Sequence, residues 1–508
     1  MDIIWNLASF FNSTPITNLK EIIEKALKLL KIHPEILGLI DEDRDKLAKK
    51  KKEIRLADKK YYESKTSEFQ EIDKTEEEID RNKIKLKDGR KRMDTHLVYL
   101  FLIIRGHFGS ISDQKAYERI RDSKTIDIVL QNWNIKMPGT TTILENINAV
   151  TNDTREYIMD KMLEMIAEED LDDFKECQID STSIAGNTEW PTDSGVLLGL
   201  LKRAYQNSQK LILFNLENFQ IWWSKTWINK ISDLVKKINM IAGKPKSKGK
   251  VKKYYRQILR TSKKMHNHLI NESERIEKQV KTIDIEPSRK LKLKNIWKRI
   301  NDDLIDIAKV IYYTENRIVN GVVIKASKRI LSISDRTAAY IRKGNRDDVI
   351  GYKPQIAKSG KGFITALIVP IGNAGDSGQL VEVAIEVIKK TKTVPDKLGV
   401  DDGYASIEGK KNIEKLEVRI ISIGGSKGKK ITSESDWDSI EYKKARADRS
   451  GIESVIYVLK YMYQFGLLRR RGIEAVKAEL LEKVIAYNFK KMIMVEKEEI
   501  KKKKKLCG

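Results

Sequence analysis

Cys177-Gln178-Ile179-Asp180-Ser181-Thr182-Ser183-Ile184 is a short β-branched run that follows an acidic segment ending near Asp173. It reads as a strand with Asp180 close to its C-terminal end. Trp190-Pro191-Thr192-Asp193-Ser194 then forms a loop, helix resumes at Gly195, and residues 197–312 are mostly helical in pattern. The next strands are expected at Val322–Ile324, Arg329–Ser334 and Phe363–Val369. Asp376 with Gln379 three residues later is expected to cap a helix over Ser377–Lys390, and Lys397–Asp402 reads as a further strand. Strands, a helix, a strand and a final long helix make a mixed α/β domain with a large helical insertion after its first strand.

The charge is unevenly spread along this frame. In 508 residues, Lys+Arg 98 against Asp+Glu 73 gives +25, and residues 201–300 alone hold 26 Lys/Arg against 7 Asp/Glu. A concentration of +19 in one hundred residues implies a polyanionic partner, with Lys252, Lys253 and Arg256 in its densest part. The basic residues are interspersed with Tyr, His and Asn, so no clean amphipathic face for a lipid surface emerges. Lys244–Lys253 reads as a flexible link between helices, and Trp222, Trp223 and Trp227 as core anchors on one helix side. Cys177 and Cys507 are the only cysteines, and the five histidines form no H-E-x-x-H arrangement, which points away from disulfides and zinc. The start lacks a basic n-region and the longest apolar run, Leu97–Ile104, is too short to span a bilayer, so a cytoplasmic, nucleoid-associated protein is expected.

Upstream, residues 1–93 are expected to be helical. Leu47, Ile54, Tyr61 and then Ile72, Ile79, Leu86 step by seven, which fits a coiled-coil hairpin for oligomerisation or a solvated helix. Residues 94–172 read as a helix-turn-helix-like unit. Helices over His96–Arg105, Ser112–Arg121 and Lys124–Trp133 lead to Pro138-Gly139-Thr140-Thr141-Thr142, and a Thr142/Glu145 capping box starts the fourth helix. Thr140 and Thr141 stand where such a helix would meet DNA. A three-helix packing unit without a DNA role fits the same pattern.

The last helix, Asp448–Phe465, has two faces. Ile452, Val455, Ile456, Leu459 and Met462 form a core stripe; Arg446, Arg449, Glu453, Tyr457 and Lys460 form a charged one. The latter fits a solvated face with ordinary ion pairs. It also supplies a carboxylate to join two others, Asp180 and Asp401 (or Asp402), at strand ends. Three hard oxygen donors suit Mg²⁺ or Mn²⁺ better than zinc. Trp437, just before this helix, fits packing or base stacking, and Lys501–Lys505 a basic, solvated tail.

Four segments, in order, resemble insertion-sequence transposases of the DDE type. They are Ile179–Ile184 with Pro191–Ser194, Ile341–Gly344 through Gly372–Ser377, Val400-Asp401-Asp402-Gly403-Tyr404, and the helix. In the family's Tyr-x2-Arg-x3-Glu-x6-Lys signature, Arg449, Glu453 and Lys460 match, whereas Arg446 replaces the Tyr. The second-Asp motif, Ala-Asp-x-Gly-Tyr, selects Asp401 over Asp402. The resemblance implies a ribonuclease-H-like α/β catalytic domain over 173–500, with 197–312 as its basic insertion and 501–508 as a tail. It implies that Asp180, Asp401 and Glu453 bind Mg²⁺, with Mn²⁺ as a substitute. Arg449 and Lys460 would contact the phosphates of the element's terminal inverted repeats, and Arg446, which departs from the signature, is a further DNA-contact candidate by its charge on the same stripe. The implied reaction is DNA cleavage at those ends, then attack of the freed 3′-hydroxyl on target DNA, by a homodimer or larger assembly. A metal-dependent nuclease without strand transfer, and an inactive DNA-binding derivative, share the same site residues or the same basic surface.

Overall fold

A computed structural model describes residues 17–70, 92–109, 113–216, 225–342 and 347–506. The chain divides into two compact units, one of residues 1–46, 88–187 and 337–508, the other of 47–87 and 188–336.

The first unit is built on a five-stranded sheet. The strands are β1 (Glu176–Ser181), β2 (Ile184–Ala185), β3 (Ala339–Ile341), β4 (Val349–Tyr352), β5 (Gln355–Ser359), β6 (Ile364–Ile368), β7 (Lys397–Val400) and β8 (Ile420–Ile423). The main sheet runs in the order β6-β5-β1-β7-β8, while β2, β4 and β3 make a small second sheet. β1 is antiparallel to β5 and parallel to β7, and β7 is parallel to β8. Three antiparallel strands followed by two parallel ones are compatible with the ribonuclease-H-like domain expected from the motifs.

Alternation assigns the faces. Cys177, Ile179, Leu398 and Val400 pack with Leu380, Val383, Ala384 and Val387 of the helix Asp376–Thr391. Gln178 and Gly399 point to the other face, where a Cβ on Gly399 would stand 3.1 Å from the Ala445 carbonyl and 3.5 Å from Arg449 Cβ. A bare glycine there lets the helix Ile440–Asp448 lie against the sheet.

Around this sandwich, the helix Thr95–Phe108 is buried from Leu97 to Gly106 and packs against the long helix Ile473–Leu506. At Gly106 a Cβ would fall 2.1 Å from the Glu482 carbonyl, so no larger residue fits without separating the two backbones. Beside that crossing, the buried Glu482 carboxylate accepts from Arg105 Nε and Nη2 at 2.8 and 2.7 Å, and from Arg155 Nη2 at 2.7 Å. Burial alone would raise the Glu482 pKa, but Arg105, Arg470 and Arg155 outweigh it and hold the carboxyl far below the usual range. The helices of 94–172 therefore lie in the same compact unit as the sheet, tied to it by a buried carboxylate.

The second unit is a helical bundle of Asp193–Leu211, Lys225–Ile241, Lys248–Thr282 and Pro287–Thr314. Leu197, Leu200, Leu201, Ile231, Ile258, Met265, Ile276, Leu293, Ile307 and Val310 fill its core at helical spacing.

Several local expectations fail for identifiable reasons. Val322–Ile324 and Arg329–Ser334 are not strands. Val323 is 94% exposed with no partner strand, and Ile330 is spent on the helical core. The strands β3, β4 and β5 instead form in a stretch rich in polar residues. Helix Lys248–Thr282 begins four residues inside the basic run read as a link, so Lys252 and Lys253 are helical. The helix Thr140–Ala149 starts from Gly139, not from a Thr142 capping box, because its first turn already includes Thr142. Gly375, not Asp376, is the N-cap of the following helix. Trp227 is 38% exposed and is no core anchor, while Trp222, Trp223 and the heptad set Ile72, Ile79, Leu86 lie outside the described residues.

Replacing Glu482 with Gln should cost about 3–5 kcal/mol, because Arg105 and Arg155 stay buried without their counter-charge. Urea unfolding at pH 7 measures this, and an unmoved midpoint refutes it. A depressed carboxylate pKa stabilises fully above the unfolded value of about 4.3 and is lost as pH falls through the folded value. The native chain should therefore lose stability below about pH 4.3 more steeply than the Glu482→Gln variant.

Candidate active site

Asp180 and Asp401 are brought side by side by strand register. Gln178 pairs with Gly399 across the parallel β1–β7 ladder. Two residues further on, each strand end carries its aspartate on the same face as that pair, roughly one strand spacing, about 4.8 Å, from its neighbour. Asp180 is 8% exposed and its Oδ1 accepts from the Ser181 N–H at 2.7 Å. Asp401 begins the short turn Asp402–Tyr404, and its Oδ1 accepts from the Gly403 N–H at 2.9 Å.

Asp402 faces elsewhere. Its Oδ1 accepts from the Lys427 N–H at 2.7 Å and the Gly428 N–H at 3.1 Å, holding the open N-terminus of the helix Gly425–Lys430. One of the two adjacent carboxylates thus has a structural partner, and Asp401 is the one at the strand end beside Asp180.

The long helix of the charged stripe is two helices. Ile440–Asp448 ends at Arg449, and Gly451–Met462 begins after Ser450. Ile452, Val455, Ile456 and Leu459 are buried as their spacing requires, whereas Met462 is exposed. Arg449 lies over Gly399 of β7, and Lys460 Nζ donates to the Ser183 carbonyl, just beyond β1, at 3.1 Å. The line from Arg449 through Glu453 to Lys460 therefore runs from β7 to the far end of β1. Glu453 itself is 62% exposed in its side chain and pairs with Arg449 Nη2 at 3.2 Å. Among the described residues, no group of three or more His, Cys, Asp or Glu side chains is set to hold a metal ion. The Glu453 carboxylate pairs with its arginine and forms no such group with the two aspartates.

Arg446 belongs to the preceding helix and stacks on Trp437, 4.3 Å from its ring centroid, with Nη1 buried and unpartnered. Trp437 is half-buried against Tyr442 and Ala445, a packing role. Thr141 is exposed and Thr140 half-buried at the start of Thr140–Ala149 in the first unit; Lys253 and Arg256 are exposed and Lys252 half-buried in the second.

A polar network at the same strand ends was not legible beforehand. Tyr404 is fully buried and its hydroxyl donates to Gln355 Oε1, while Gln355 Nε2 donates to Asp376 Oδ1 at 3.1 Å. Lys353 Nζ lies 2.8 Å from the same Asp376 oxygen. Burial raises the Tyr404 pKa, and Asp376, Asp180 and Asp401 raise it further, so all three carboxylates act on one phenol. Burial works against the ionised Asp376, but Lys353 and Gln355 outweigh it and hold its pKa below the usual value. The one sequence signal for this network is the Tyr of Asp-Asp-Gly-Tyr.

No helix among the described residues is long and apolar enough to cross a membrane. No curated protein and no solved structure matches the chain. Residues 324–489 match the family model described as transposase DDE domain, a span that includes Asp401 and Glu453 and begins after Asp180. That match, over about a third of the chain, is consistent with an insertion-sequence DDE transposase.

Proposed function

We propose that the chain is a DNA transposase that cuts at the ends of its insertion sequence and joins the 3′-hydroxyl to target DNA. The observation that carries this reading is the placement of Asp180 and Asp401 at adjacent parallel strand ends. The line Arg449–Glu453–Lys460 crosses those ends, and the transposase DDE match covers two of the three carboxylates.

The donor set fits a divalent cation. Asp180 and Asp401 are hard oxygen ligands, and a missing side chain at Gly403 leaves open the space beside the Asp401 carboxylate. Asp180, Asp401 and Glu453 would hold Mg²⁺ or Mn²⁺, which when bound supplies Lewis-acid stabilisation of charge at phosphorus. The chain's own groups bind and orient the DNA. Arg449 is paired to an exposed carboxylate, an interaction worth about 0–1 kcal/mol, so exchanging it for a phosphate costs little. Lys460, tethered to the Ser183 carbonyl, fixes a second positive charge at the end of β1. In-line displacement at phosphorus asks chiefly for such positioning and charge balance. Nicking at the element's end would be followed by attack of the freed 3′-hydroxyl, with no covalent enzyme intermediate.

Duplex DNA would be held more broadly by the basic helix Lys248–Thr282, where Lys253 and Arg256 face solvent, and by Arg446 and the Thr140–Thr141 turn. We expect a homodimer or larger assembly, since two element ends must be joined. A nuclease on the same fold would cut without joining. A strand-transfer assay with a labelled element end and a target plasmid separates the two, since only the transposase yields joined product.

In that assay Asp180→Asn or Asp401→Asn should lower Mg²⁺-dependent cleavage by about 10³-fold or more, the equivalent of several kcal/mol. Cleavage that persists at the native rate in either variant would sink the assignment. Chelation should abolish activity and Mn²⁺ should restore it. Changing Lys252, Lys253 and Arg256 to Ala should weaken binding alike on all sequences. Each lost phosphate contact should flatten the slope of log K against log salt by about 0.9. An unchanged slope removes that helix from the DNA interface.

A further inference from the structure

We propose that Asp376, clamped by Lys353 and Gln355, is a positioning residue that fixes the direction of the Asp401 carboxylate through the Gly403–Tyr404 turn. The inference rests on reading Asp180 and Asp401 as the cation-holding pair.

Asp376 reaches the site from beneath. It opens the helix that covers the Cys177–Ile179 face of the sheet, opposite the face that carries Gln178 and Gly399. Ser181 and Gln355 are register partners on β1 and β5, and both lie on that lower face by alternation. The Ser181 hydroxyl helps hold the Asp376 charge, and Tyr404 closes the network from its buried position in the same core.

The link to Asp401 is Gly403. A Cβ there would stand 3.1 Å from Asp401 Oδ1 and 3.2 Å from Asp376 Oδ2, so the two carboxylates flank the same point of the turn. The Gly403 N–H is the donor that orients Asp401 Oδ1. Any shift of the turn therefore rotates the ligand. Tyr404, next in the chain, is pinned by its bond to Gln355 and so restrains the turn from the other side.

Charge explains why the clamp is ionic. Asp376 and Lys353 are both nearly buried, and a buried ion pair is commonly no more stabilising than an apolar pair of the same volume. Stability alone gives no reason to keep it. Placed here, Lys353 balances Asp376, so the strand ends retain the charge of Asp180 and Asp401 without a third uncompensated carboxylate. Groups that orient a metal-binding carboxylate in this way typically change metal affinity by about 10–100-fold when removed.

The test uses the full chain and Mn²⁺ as the probe, with calorimetric Mn²⁺ titration, Mn²⁺-dependent cleavage and thermal unfolding measured together. Asp376→Asn should keep the fold and weaken Mn²⁺ binding by about tenfold or more. Cleavage should move to correspondingly higher Mn²⁺ and recover most of its maximal rate at saturation. Gly403→Ala crowds Asp401 Oδ1 and Asp376 Oδ2 from the turn while leaving the Lys353 and Gln355 contacts to Asp376 Oδ1, and should shift Mn²⁺ affinity in the same direction, which covers the case in which Asp376→Asn does not fold. Asp401→Asn should lose cleavage at every Mn²⁺ concentration. Folded variants at 376 and 403 with native Mn²⁺ affinity overturn the positioning role. Native Mn²⁺ affinity in Asp401→Asn overturns instead the reading on which it rests.

Discussion

Parallel pairing of β1 with β7 is the constraint from which the site follows. Once Gln178 faces Gly399, alternation places Asp180 and Asp401 on one face at adjoining strand ends, and no further device is needed to bring them together. The same pair admits the helices above. Gly399 leaves room for the Ala445 carbonyl and the Arg449 stem, so the helix that carries Glu453 starts directly over the sheet. A side chain at 399 would lift that helix by the thickness of a methyl group and carry Arg449 and Glu453 with it. Register and one missing Cβ therefore set the positions of four charged groups.

The second organising interaction is charge buried far from the chemistry. Glu482 with Arg105 and Arg155 ties the helices Thr95–Phe108 and Asn152–Glu168 to the C-terminal helix, and burial lowers the Arg155 pKa to about 10. Such a cluster has one low-energy arrangement, since each member left alone would be an uncompensated ion in an apolar interior. Gly106 makes the crossing tight enough for it to form. The N-terminal helices are thus built into the unit that holds the sheet. Thr141 stays exposed and Thr140 half-buried at the start of Thr140–Ala149, while the most apolar helix of the set serves the core.

Much of this was legible in the sequence. β1 and β7 were found because each is a short apolar run ending at an aspartate, and the helices because their apolar stripes repeat at three and four. What failed was read from residue type without a partner. Val322–Ile324 has strand composition but no neighbouring edge, and Gln355–Ser359 has a polar-looking sequence yet is buried between two strands. The break at Arg449–Ser450 was hidden because both residues keep helix-like backbone angles, so the side-chain period continues across it almost unchanged. Asp376 was misread for a similar reason. An aspartate at a helix start looks like a cap, and only the fold shows that Lys353 and Gln355 claim its carboxylate.

The two aspartates and Glu453 differ in how they are held, and the difference has a physical basis. Asp180 and Asp401 are fixed by strand ends and backbone N–H donors, so their separation is settled on folding. A third carboxylate placed equally rigidly beside them would be opposed by like-charge repulsion, which is severe at a partly buried site. Glu453 avoids that by lying on a helix face, exposed, with Arg449 as its counter-charge. Bringing it to the aspartates requires a cation between them and another anion for Arg449. A divalent ion meets the first requirement and a DNA phosphate the second. On the proposed function, completing the carboxylate set would therefore depend on both, through charge balance.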